Sequence, residues 1–160
     1  MRRILFVVVG VAILAFLGWR VRDAEALIAS GEVVLLELAP VDPRSLIQGD
    51  YMRLSWAAER RSITIEGATG TIVLGLDARR VGDFRRLATA GAAGEGELAF
   101  DVRRGGADGR IAIEPHSFLF QEGHADLYAK AKYGIFRVDP AGRHLLTGLA
   151  DAEGRRIDPP

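Results

Sequence analysis

Serine, aspartate and arginine crowd one short stretch of the chain, Pro40-Val41-Asp42-Pro43-Arg44-Ser45-Leu46-Ile47-Gln48-Gly49-Asp50, set between two apolar runs. Two chemistries could use such a set. Ser45 with Lys130 or Lys132, the only lysines present, would form a Ser-Lys hydrolase dyad. That dyad needs a serine on a rigid turn and a desolvated lysine whose pKa has dropped. Asp42 and Asp50 paired with Arg44, Arg53 or Arg137 would instead brace the loop through bidentate guanidinium–carboxylate contacts. Serine and aspartate beside proline and glycine also bond their own backbone in turns, and two lysines on a charged segment stay solvated. Bracing is therefore favoured over catalysis.

The three histidines, His116, His124 and His144, are separated by 8 and 20 residues. They share neither a helix face nor an alternating strand position, so no metal site is predicted. Glu122 beside His124 reads as an acidic residue at a helix start, where the dipole favours it. Cysteine is absent, which excludes disulfides and thiolate metal sites. With 21 basic and 21 acidic residues there is no electrostatic case for nucleic acid. No cofactor signature is found.

These residues must be positioned by some framework. Ile4 to Trp19 holds sixteen residues without a charge, flanked by Arg2-Arg3 and Arg20-Val21-Arg22. As a helix it spans about 24 Å, short of a hydrocarbon core of about 30 Å. Snorkelling arginines and an interfacial Trp19 make up the difference. An uncleaved signal-anchor is favoured over a signal peptide cut at Ala24-Glu25-Ala26, because two arginines stand between the apolar run and that site. The helix should continue over Asp23 to Ser30 and stop at Gly31.

Beyond it, Val33–Leu38, Tyr51–Trp56, Thr71–Asp77, Leu98–Val102, Ile111–Ile113, Ser117–Phe120, Ile135–Val138 and His144–Leu149 read as strands. Arg60–Glu66 is a less certain element. Arg79–Ala88 fits a short amphipathic turn or an edge strand. Glu122 to Lys132 is predicted as one helix, with Leu127 and Tyr128 facing the sheet. The organisation is a membrane anchor and juxtamembrane helix over 1–30, a β-rich domain over 31–150 and a polar tail over 151–160. The fold class is mainly β, a barrel-like or sandwich-like domain with one embedded helix, plus one N-terminal transmembrane helix.

Gly49-Asp50-Tyr51-Met52-Arg53-Leu54-Ser55-Trp56 resembles the signature of the GDYXXLXY family of bacterial membrane-anchored proteins. The resemblance extends to Pro40–Leu46, Phe120–Ala125, Tyr128, Tyr133-Gly134, Phe136–Asp139 and Leu146–Leu149. One departure is Trp56, where the family name has tyrosine. A hydroxyl role there would be lost or taken over by the indole N–H. The family has no established activity, and the resemblance implies a single-span exported partner of polytopic membrane proteins. Arg44–Asp50 is also similar to a run in signal-peptidase-like serine hydrolases, but that alignment places Val41 at the nucleophile position.

The reading that follows is a non-enzymatic, inner-membrane-anchored protein with its β domain in the periplasm, binding a polytopic membrane partner. Its candidate binding residues are Asp42, Arg44, Asp50, Tyr51, Glu122, Tyr128, Tyr133 and Arg137, on the premise that the 40–51 loop and the 121–134 segment meet. A membrane-tethered Ser45 hydrolase is the alternative.

Overall fold

A computed structural model describes residues 2–39, 47–48, 51–61, 63–88 and 93–159, with the backbone alone described for Arg3, Ile47 and Gln48. The first element, α1 (Arg2–Ser30), carries the apolar run and continues through the charged residues after it. Ser30 returns its hydroxyl to the Ala26 carbonyl, and Gly31 ends the helix with its N–H on the Leu27 carbonyl at 2.8 Å. The apolar window of α1 has no cover from the other described residues.

The remaining elements are β1 (Glu32–Glu37), β2 (Ile47–Gln48), β3 (Tyr51–Arg53), a 3-10 helix (Ala57–Arg61), β4 (Thr69–Leu76) and β5 (Gly82–Ala88). They continue with β6 (Glu97–Gly105), β7 (Arg110–Ala112), β8 (Ser117–Leu119), α2 (Ala125–Tyr128), β9 (Tyr133–Val138) and β10 (His144–Ala150). The strands form three antiparallel sheets, ordered β1-β9-β10, β2-β3-β8 and β5-β4-β6-β7. Short bridges join them into a curled half-barrel. Leu35 N–H donates to the Arg80 carbonyl just before β5, and Ala39 N–H donates to Ser55 just after β3.

Period-two alternation fills the barrel. Val34, Leu36 and Leu38 point inward with Ile72 and Leu74, Leu98, Phe100 and Val102, and Phe136 and Val138. Phe136 is the hub: Trp56 meets it edge-on at 5.0 Å between centroids, and Phe100 does so at 5.4 Å. Trp56 is fully buried, and its indole N–H donates to the Ile113 carbonyl at 2.8 Å. Glu59 completes this joint, accepting from Ile113 N–H at 2.7 Å and from Trp56 N–H at 3.2 Å.

The β1-β9-β10 sheet is covered on its other face too. Leu35, Tyr133, Ile135 and Ala150 form a second small cluster there. Residues 151–157 fold back over it: Ile157 N–H donates to the Leu149 carbonyl, and a Cβ on Gly154 would lie 3.2 Å from Leu35 Cδ1. Burial on both faces explains why β1 reads as an unbroken apolar run rather than an alternating one.

Three segments differ from expectation. Only Ala125–Tyr128 of the Glu122–Lys132 stretch is helical. Gly123 takes a left-handed φ of 87°, and at the far end Lys132 is drawn into the sheet, its carbonyl accepting from Leu38 and its N–H donating to Ala150. Sheet pairing there overrides helix propensity. The strand expected over Tyr51–Trp56 stops at Arg53, because Leu54 N–H turns to the His116 carbonyl and Trp56 bridges Leu38. Arg60–Glu66 gives the end of the 3-10 helix and an isolated bridge from Thr64 to Arg110. The edge-strand reading holds for Arg79–Ala88 over its Gly82–Ala88 portion.

One local device recurs three times. Asp77, Asp139 and Asp151 each accept, through Oδ1, the N–H groups two and four residues ahead at 2.7–3.0 Å. The residue three ahead has positive φ in every case: Arg80 at 64°, Gly142 at 95° and Gly154 at 79°. An aspartate at the turn start and a left-handed residue near its end close these tight loops.

Candidate functional site

Asp42, Arg44, Asp50 and Ser45 lie outside the described residues. Tyr51 is half-buried on β3, opposite Leu119 of β8. Tyr128 is buried in the main core, its ring 5.2 Å from Phe118 and 5.1 Å from Phe120. Glu122 is exposed just before α2. Tyr133 and Arg137 lie on the other face of β9 from Phe136. The Tyr133 hydroxyl accepts from Arg79 at 3.4 Å, and Arg137 donates to the Gly31 carbonyl at 2.9 Å. Tyr51 pairs with exposed Leu119, whereas Tyr128 packs on Phe118 and Phe120 of the opposite face, so the two tyrosines do not meet. Arg137 braces the joint between α1 and β1.

Lys132 pairs with Glu37 at 2.9 Å, a contact that raises its pKa and holds it protonated. Lys130 is exposed. His116 lies near Glu59, His124 precedes α2 and His144 stacks on Phe100. No group of three histidines or acids suited to a metal ion occurs among the described residues.

Side chains converge instead at a cleft of about 970 Å³ between β10 on one side and β4, β6 and β7 on the other. Arg20 of α1 also lines it. The turn before β10 builds the inner edge. Asp139 binds Arg143 at 2.6 Å, and Arg143 also reaches Asp23 of α1 at 2.7 Å, so the guanidinium pKa is raised by two carboxylates. Gly142 lies tight against β6: its carbonyl accepts from Asp101 N–H at 2.9 Å, and a Cβ there would come 2.9 Å from Asp101 Oδ1.

His144 follows in the chain and forms part of the cleft wall. Its imidazole stacks on Phe100 at 3.9 Å and 14° between planes, with Phe136 edge-on at 5.5 Å. Burial pushes its pKa below the usual histidine value, opposed by the Gly142 carbonyl and by the charges of Asp101 and Glu114. Asp101 also accepts from the Thr71 hydroxyl at 3.0 Å, and Arg103 pairs with Glu114 at 3.4 Å. Leu145 adds apolar surface. The cleft thus gathers the side chains of Arg20, Arg103 and Arg143 with Asp101, Glu114 and the apolar Leu145.

This site was not legible beforehand. The turn Asp139-Pro140-Ala141-Gly142 is readable as a turn, but its partner Asp23 lies 120 residues from Arg143. A family model described as "GDYXXLXY protein" matches residues 13–149, from mid-α1 to the end of β10. No curated protein and no solved structure matches the chain.

Proposed function

The chain belongs to the GDYXXLXY family, and from that premise we propose that it is a membrane-anchored, non-enzymatic binding or accessory subunit of a polytopic membrane protein. In this reading α1 crosses the bacterial inner membrane as an uncleaved signal-anchor and the β domain stands in the periplasm. The observation carrying it is α1 itself. Its apolar window is uncovered by the other described residues, yet its last turns are fastened to the domain by Asp23–Arg143 and by Arg137 on the Gly31 carbonyl. An apolar surface of that length needs lipid or other helices around it. The fastening would hold the domain at a set angle to whatever lies beside the helix. Protonated Lys132, engaged with Glu37, also favours a binding role over a Ser-Lys dyad.

Affinity capture of the full chain in mild detergent from its native host, beside folded Tyr51→Ala and Asp50→Ala variants, tests this. The expected result is a polytopic protein retained by the parent and reduced with at least one variant. Recovery of no partner, or of the same partner at the same level with both variants, would overturn it. A reporter fused after residue 160 should be active on the periplasmic side.

A further inference from the structure

With α1 crossing a membrane as proposed above, the cleft beside its last turns falls at the level of lipid headgroups. Arg20 directly follows Trp19, the end of the uncharged run. The headgroup layer is about 5–7 Å deep on each side of the hydrocarbon. Asp23, one helical turn above Arg20 on the same face, is the residue that Arg143 grips. The domain therefore does not stand off at the top of α1. It folds back along the last turns of the helix until its hairpin and cleft reach the level of Arg20.

Three guanidinium groups, from Arg20, Arg103 and Arg143, line the cleft against the carboxylates of Asp101 and Glu114. Arg103 and Arg143 have carboxylate partners. Arg20 has no ion-pair partner among the described residues, although it faces the cavity. Leu145 is exposed and lines the same cleft, whereas Leu146, next on the strand, packs inward against the main core. We propose that this cleft is a binding site for the headgroup of one anionic phospholipid, with its phosphate on Arg20 and its glycerol and upper acyl segment against Leu145. Guanidinium is the side chain best shaped for phosphate. The proposal rests on the membrane-anchor part of the reading above and not on any protein partner.

The test uses the full chain in neutral detergent, titrated with dioctanoyl phosphatidylglycerol, dioctanoyl phosphatidylcholine or inorganic phosphate, with bound molecules counted by native mass spectrometry. One phosphatidylglycerol per chain is expected to be retained, well ahead of phosphatidylcholine and free phosphate. Removing one arginine charge near a headgroup should weaken retention about fivefold in Arg20→Gln. Arg22→Gln, two residues on and so turned away on the helix, should change it by less than about twofold. Leu145→Glu, at a partly exposed position, should abolish it while circular dichroism stays that of the parent. Equal retention of both lipids, preference for free phosphate, or equal effects of Arg20→Gln and Arg22→Gln would each overturn the site. Flotation with vesicles separates the two readings: a chain that floats but retains no lipid loses only this site, and one that does not float loses the anchor as well.

Discussion

Gly134 and Trp56 are a fitted pair. A Cβ on Gly134 would lie 2.5 Å from Cη2 and 2.6 Å from Cζ3 of the Trp56 indole, so the ring occupies the space a side chain on β9 would need. The last position of the family motif is thus a core position here. Its polar atom is spent on the Ile113 carbonyl, not on a ligand.

Gly134→Ala should therefore destabilise the fold by about 2–3 kcal/mol, the cost of overpacking against a rigid ring. In a Trp56→Tyr background, where the smaller ring vacates that space, the same substitution should cost less than half as much. Trp56→Tyr alone should also be destabilising, because the Ile113 carbonyl loses its buried donor. Urea unfolding of the four chains, read as a double-mutant cycle, checks the coupling. Strict additivity would count against the fitted pair.

A second expectation concerns acid. Burial disfavours the imidazolium of His144, so the folded state takes up that proton at lower pH than the unfolded chain, whose histidine titrates near 6.5. The unfolded state binds more protons in that interval. The stability His144 contributes is therefore fully present above pH of about 6.5 and is lost as the pH falls through the folded-state value. Asp101 and Glu114 face the ring and soften the effect. His144→Phe keeps the stack on Phe100 without the proton. The difference in melting temperature between parent and variant should move in the variant's favour between pH 7 and pH 5, and a constant difference would contradict the assignment.

Two glycines separate backbone strain from crowding. Gly123 and Gly142 both have positive φ, but nothing lies within 4 Å of a Cβ on Gly123, whereas one on Gly142 would press on Asp101. Gly123→Ala should cost about 1 kcal/mol, the left-handed penalty alone. Gly142→Ala should cost roughly 1 kcal/mol more. Thermal unfolding ranks them.

The junction below α1 should open when its ties are cut. Arg137→Ala frees the Gly31 carbonyl, and Asp23→Ala releases Arg143. Each variant should change global stability little, because these are partly exposed contacts. Hydrogen exchange in residues 24–31 should nevertheless rise selectively, with β4 and β6 unchanged. Uniform exchange across the chain would mean that the ties are incidental.

Strands with clear apolar patterning were readable from sequence: β1, β4, β6, β9 and β10 all fall where Val, Ile, Leu and Phe cluster between turn residues. The hairpin of β6 and β7 was readable from Gly105-Gly106-Ala107-Asp108-Gly109. The length of α2 was not, since helix formers at Ala129–Lys132 say nothing of the backbone bonds that Lys132 makes to Leu38 and Ala150. Nor were the partners of Arg137, since Gly31 lies 106 residues away. Tyr128 and Tyr133, close in sequence, fall in different apolar clusters because the chain turns into β9 between them. The cleft is contributed by α1 and several strands, and no window of the sequence contains it.

The pairing of β1 with β9 also sets an order of events during synthesis. β1 emerges directly behind the anchor, but its partner in the register Glu32 to Val138 follows about 100 residues later. At about 5–20 residues per second, β1 waits on the order of ten seconds for that partner. Over that interval Val33–Leu36 stay unpaired and apolar next to the apolar helix α1. The four-stranded β5-β4-β6-β7 sheet, whose strands are near neighbours in the chain, has every pairing available earlier. The nascent chain thus carries one adhesive strand exposed until β9, about 100 residues later, is made to cover it.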